Sequence, residues 1–247
     1  RRAFALRSWP MKIGISVEND LERTLGDIGR QLRYAMARAL TTTADRAVEN
    51  LQAEMQRVFD RPTPYALRAP VRKPATKETL EAEVFLRPGF GKGIPAGKFL
   101  GPEIAGGDRR LKRLERALQY VGLPAGMYTV PGKAAEIDAY GNMNRGQIVK
   151  ILSYLRIDRS GTQNRGEGRS RRKRRKETYF VIRTRTNGLR PGVYQRVDNR
   201  PKPVLIFVRP PHYGQRLDYL ETIQRTVAES FAPTLADAMA QALAAAR

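Results

Sequence analysis

One histidine, no cysteine and a run of six consecutive basic residues bound the chemistry open to this 247-residue chain. Without cysteine there is no disulfide, no thiolate metal site and no cysteine nucleophile. A lone imidazole, His212, cannot form a His pair or a His triad around zinc. It lies in PPHYGQR, where a single His beside Pro and Tyr reads as a structural or exposed residue. The GxSxG and HExxH signatures are absent, and so is any paired-carboxylate signature. Glu81 and Glu83 fall on one face of an expected strand, and the polar face of a half-buried strand accounts for them. Asp218 and Glu221 read as solvent-side helix residues. A phosphate-binding loop fails at two positions: Lys92 stands where the leading Gly is needed, and Phe99 follows Gly97-Lys98 where Ser or Thr is needed. One catalytic alternative remains, a divalent-metal nuclease whose carboxylates are far apart in sequence. The reading is a non-enzyme with no catalytic, cofactor-binding or metal-ligating residue.

What remains is electrostatic chemistry. Lys and Arg number 46 against 24 Asp and Glu, a net charge of +22, which favours polyanionic surroundings: DNA, RNA or an acidic protein surface. Residues 1–60 are almost neutral at +2, whereas residues 156–177 hold 10 basic and 3 acidic groups, +7 in a short stretch. That stretch has no aliphatic or aromatic residue after Ile157 and contains Gly161, Gly166 and Gly168, so it reads as an exposed loop or hairpin tip. Arg169, Arg171, Arg172, Lys173, Arg174, Arg175 and Lys176 are candidate contacts to DNA phosphates or to an acidic partner. A plainly solvated basic loop is the alternative. No helix-turn-helix or finger pattern accompanies the run and no aromatic interrupts it, so sequence-specific reading of DNA is not expected.

The elements that would carry these residues follow from hydrophobic period. Leu21, Leu25, Ile28, Leu32, Ala35 and Ala39, continued by Thr43, Ala47, Leu51, Met55 and Val58, form one face of a long amphipathic helix over 18–59. Such a helix needs a neighbouring subunit or a second helix to cover it, and a break at the 41–43 Thr triplet would instead make a helix hairpin. Residues 79–87 alternate as a half-buried strand. The Gly- and Pro-rich segment 88–107 reads as an irregular surface loop. Its Phe90, Ile94, Phe99, Leu100 and Ile104 suggest an arm ordered by a neighbouring subunit, because they would otherwise be exposed. Asp108 can cap a helix over 109–121, and Asn144 with Gln147 resembles a capping box for a helix to Leu155. Strands over 178–184, 193–197 and 203–208 form a meander that the 79–87 strand could join, and a helix over 217–245 with Pro233 inside closes the chain.

The fold class expected is α+β: an antiparallel sheet of about four strands flanked by long N- and C-terminal helices, with extended loops and arms. The organisation expected is one composite domain: an N-terminal arm (1–14), the long helix (15–60), an insertion region (61–177), and the meander with its closing helix (178–247). No stretch approaches the roughly 20 apolar residues of a membrane span. The opening residues hold no apolar run of signal-peptide length, and a start at Arg1 leaves room for a short missing leader.

The C-terminal third, with GVYQRV (192–197), an apolar strand, a proline-aromatic turn and a helix with a late Phe, resembles the minor tail protein Z family of lambda-like tailed phages, the tail completion proteins. The order of a long N-terminal helix, a basic stretch ahead of a strand, and a closing helix is similar too, over residues 15–60 and 165–247. Segment 138–155 is like stretches of prophage structural proteins. The resemblance implies a structural virion protein made in the host cytoplasm. It would complete the head-proximal end of the tail at the neck. Implied partners are copies of itself in a homo-oligomeric ring, a hexamer, with the tail terminator or tail tube, the head-tail connector, and phage DNA in the channel. It implies no cofactor and no membrane. The alternative function is a non-sequence-specific nucleic-acid-binding protein using the basic loop 169–176.

Overall fold

The computed structural model describes residues 13–15, 26–89, 94–155 and 178–245. In chain order the elements are β1 (Ile13–Ile15), α1 (Gly26–Val58), α2 (Pro64–Leu67), β2 (Pro70–Lys73), β3 (Ala82–Leu86), α3 (Ala96–Ala105), β4 (Gly107–Asp108), α4 (Arg113–Gln119), β5 (Tyr128–Pro131), α5 (Arg145–Tyr154), β6 (Thr178–Ile182), β7 (Gly192–Val197), β8 (Arg200–Val208), β9 (His212–Tyr213) and α6 (Tyr219–Ala245). The class is α+β, with long helices near both ends and an antiparallel four-stranded sheet. Instead of one composite domain, the chain divides into two compact units, 1–106 with 214–247, and 107–213.

The first unit is built on α1 and α6. The apolar stripe runs unbroken through the Thr triplet, so α1 is a single helix of 33 residues, about 50 Å long. Leu40, Ala44, Ala47, Leu51 and Met55 are buried along it. Its cover is α6 of the same chain: Asn50 Nδ2 donates to Thr226 Oγ1 at 2.9 Å and Arg46 Nη1 to Thr234 Oγ1 at 3.0 Å. Further along, Ala35 and Ala39 meet Ala238, so the two helices run antiparallel. Alanines at that contact let the backbones approach closely, and Thr226 and Thr234 turn their hydroxyls back to Thr222 and Ser230 carbonyls at 2.8 and 2.6 Å. A three-stranded sheet in the order β1-β3-β2 packs on α1 with Leu80, Ala82 and Val84 buried. The 79–87 strand therefore belongs here and not to the meander.

The second unit carries the sheet β5-β8-β7-β6. Its fourth strand is Tyr128–Pro131, a segment too short and too closely flanked by Pro and Gly to show a period in the sequence. One face, with Tyr179, Val193, Leu205 and Phe207, buries against Leu118 of α4, Ile151 of α5 and the intervening Val121 and Leu123. Pro201 and Pro203 lie inside β8, which begins three residues earlier than its apolar run. Pro201 pairs in register with Arg196 and Pro203 with Tyr194, and a register shift follows directly between Tyr194 and Val193, next to Pro203, which cannot donate to a regular ladder. Two glycines are dictated by close approach: a Cβ on Gly192 would sit 2.2 Å from the Leu205 carbonyl oxygen, and one on Gly132 would sit 2.4 Å from that of Pro203.

Candidate polyanion interface on the four-stranded sheet

Charge divides between the two units very unevenly. Residues 107–213 hold 25 of the 46 basic and 8 of the 24 acidic residues, a net +17, while the rest of the chain nets +5. The pairing differs as well. In the first unit Arg57–Glu54, Arg61–Asp60, Arg72–Asp45, Lys73–Glu83 and Arg216–Glu103 are ion pairs. In the second unit, Arg183, Arg185, Arg190, Arg196, Arg200, Lys202 and Arg209 are all exposed, and none has a carboxylate partner among the described residues. Asp198 is the one acidic residue between 178 and 213.

The strands set these cations in two rows. Arg183, Arg185, Arg190 and Arg209 lie where β6 and β8 end and β7 begins. Arg196, Arg200 and Lys202 lie where β7 ends and β8 begins. Thr178 pairs with Arg196, so the chain enters β6 at the second row. Arg196 is held in place: its guanidinium lies over the Phe180 ring at 5.6 Å, and that ring stacks on Tyr194 at 5.9 Å and 25°. The Tyr194 hydroxyl in turn donates to the Arg190 carbonyl at 2.8 Å. Phe180, Ile182, Arg183, Asn187 and Arg196 line an open groove over this face.

Among the described residues of this unit, the one buried charge is fully neutralised. Glu115, completely enclosed, accepts from both terminal nitrogens of Arg109 at 2.7 and 2.6 Å, from the Lys112 N–H at 2.7 Å and from the Thr129 N–H at 2.9 Å. Arg109 lies over the Tyr128 ring at 4.5 Å, and the Tyr128 hydroxyl donates to the Arg109 carbonyl at 2.6 Å. Burial pushes the Glu115 carboxyl up, but Arg109 and the two N–H donors outweigh it and hold the group below the usual carboxylate range. With every acceptor position engaged by the fold, this cluster is a structural lock.

Several sequence expectations change here. Arg169 and Arg171–Lys176 lie outside the described residues, as does Phe90. The arm reading of 88–107 is corrected where the structure describes it. Residues 96–105 are helix α3, Leu100 is 3% exposed in the core of the first unit, and Phe99 and Ile104 pack on that same core. Only Ile94 is exposed, and its carbonyl accepts from the Tyr65 hydroxyl at 2.6 Å. Phe99, Leu100 and Ile104 are covered by their own chain and need no neighbour. Asp108 does not cap α4; it sits in β4, 3.5 Å from His212 Nδ1 at the surface, and Glu115 serves the helix start instead. Asn144 does cap α5, its side chain accepting from the Gly146 N–H at 2.7 Å. Gln147 closes no capping box. Buried, it accepts from the Glu136 N–H at 2.8 Å and donates to the Ala134 carbonyl at 3.0 Å. Among the described residues there is no group of three His, Cys, Asp or Glu placed to hold a metal ion, and no helix long and apolar enough to cross a membrane.

The sheet cations escape a reading of the sequence because they are scattered singly over 183–209, where no run draws attention to them. Only the pairing of strands brings them into rows. Comparison with protein-family models, with curated proteins and with solved structures finds no match.

Proposed function

We propose that this chain is a non-catalytic structural subunit of a tailed-phage particle. In this reading it completes the head-proximal end of the tail at the neck, as a homo-oligomeric ring of six copies between tail tube or terminator and connector. The observation that carries the reading is the segregation of charge. A nearly balanced helical unit suits packing among copies, and a unit of net +17 with unpaired sheet cations suits a surface that lies against DNA. The family resemblance of the C-terminal third supplies the particle. A ring also closes the heterologous contacts that such a subunit would make.

A second reading is favoured by the same cations: a nucleic-acid-binding protein that acts outside any particle. One experiment separates them. Purified particles are tested for the chain by mass spectrometry and reconstruction, and the free protein is tested for DNA binding across salt. Presence in the neck as a ring is expected. Replacing Arg171–Lys176 with neutral residues is expected to flatten the salt dependence of DNA binding, by about 0.9 in slope for each phosphate that is no longer neutralised. A chain that never enters particles, and whose only measurable property is salt-sensitive DNA binding, overturns the structural reading in favour of the second.

A further inference from the structure

We infer that the tip of the β7–β8 hairpin is a basic ribbon that enters the major groove of B-form DNA and is gripped by phosphates on both of its faces. The inference rests on the reading that residues 107–213 face a polyanion. To that reading it adds which part makes the contact and which form of nucleic acid it fits.

The turn is the tightest kind. Asp198 and Asn199 carry positive φ of 48° and 61°, the pattern of a two-residue hairpin that keeps its strands paired to the end. Pairing fixes the faces. Arg196 opposes Pro201 and shares a face with Phe180, whereas Lys202 opposes Gln195 and Arg200 opposes Val197 on the other face. Cations thus point away from both sides of the same ribbon. Beyond Arg196 the ribbon has no lateral strand among the described residues, since β6 pairs with Gly192–Arg196 and β5 with Leu205–Val208. Residues 198–202 are all exposed.

A surface that lies flat on a polyanion needs cations on one face only. Cations on two faces match a slot with two charged walls. The major groove of B-DNA, about 12 Å wide, admits a two-stranded β-ribbon, with a phosphate wall on either side of it. The major groove of A-form RNA is deep and too narrow for such an insert. Asp198 leads the turn, so it faces base edges, where the cytosine amino group is a donor, and stays away from the phosphates. The Phe180 ring beneath Arg196 holds one guanidinium in place before DNA arrives.

The test uses the full chain with a mixed-sequence DNA duplex of about two turns, read by fluorescence anisotropy between about 50 and 200 mM salt. The variant R196Q/R200Q/K202Q is expected to lose up to about 2.7 from the slope of log K against log salt, three phosphates at about 0.9 each. R200Q/K202Q, which leaves the Arg196–Phe180 contact intact, is expected to lose about 1.8. R183Q/R185Q/R190Q removes the same charge from the opposite row and is expected to lose less than about 0.9. An A-form RNA duplex of the same sequence is expected to bind more weakly than the DNA. Equal losses from the two triple variants overturn the inference, because binding is then diffuse charge. RNA bound as tightly as DNA overturns groove entry, and polyglutamate that displaces the DNA at matched charge assigns the tip to an acidic protein. A triple variant that binds DNA like the parent but fails to enter particles removes the hairpin and leaves the structural role standing. Hairpin-dependent DNA binding by a chain absent from particles does the reverse.

Discussion

Glu115 is a carboxylate in the most basic part of the chain, and its environment fixes its role. Both oxygens are engaged, and Arg109, with a side chain only 15% exposed, has its fork filled by this partner. Removing one member leaves the other charge buried and unpaired. Glu115→Ala is therefore expected to destabilise the second unit by roughly 3–5 kcal/mol, read as a lowered midpoint in urea or heat. The pH dependence has a definite sign. The folded carboxyl titrates below its unfolded range near 4.3, so its stabilisation is complete above that range and is lost as pH falls through the lower folded value. Melting across about pH 3–7 should show the difference between parent and variant shrinking at the acid end; a difference that stays constant there sinks the assignment. None of this could be read from spacing. In the sequence Glu115 is one charge among many near Arg109, and its partner Thr129 reaches it only because β5 forms. His212, by contrast, reads from the sequence as a structural or exposed residue, and the structure has it exposed.

At the level of elements, strong periods carried through to structure and weak ones did not. The α1 stripe and the strand from Thr178 appear as expected, since each repeats often enough to outweigh local noise; α6 forms too, but its buried face runs through Tyr219, Ile223, Thr226, Thr234 and Ala238, with Leu220, Met239 and Leu243 left exposed. Segment 88–107 went the other way. Its glycines and Pro102 masked the helical spacing of Ala96, Phe99, Leu100 and Ile104, which the rest of the first unit stabilises by burying it. Leu100→Ala should cost about 2–5 kcal/mol of stability, the usual loss for a large core residue replaced by alanine, and deleting 90–105 should unfold the unit. A folded, fully stable Leu100→Ala protein, judged by calorimetry, would return this segment to the surface. Strand β5 was missed for a different reason: four residues between turn signals are too few for a period, and its pairing with β8 is a long-range choice.

On the scale of the whole molecule, the long helices and the basic sheet belong to separate units, and so do balanced and unbalanced charge. The boundaries were hidden because the first unit is discontinuous in sequence: it opens with α1 and finishes with α6 after the whole second unit has been made. The second unit begins and ends on a two-residue ribbon in which Gly107 lies opposite Tyr213 and Asp108 opposite His212. Opposite residues of an antiparallel pair are about 4.5–5.5 Å apart, so the chain enters and leaves this unit through nearly one point. Joining Gly106 to Gly214 through a short glycine linker should therefore leave a helical protein that melts cooperatively, and residues 107–213 alone should fold with their ends adjacent. Loss of cooperative melting in both halves would refute the division. The same topology makes the basic unit a cassette: the scaffold can accept a different insert at the same doorway and change what it touches while α1 and α6 go on packing against each other.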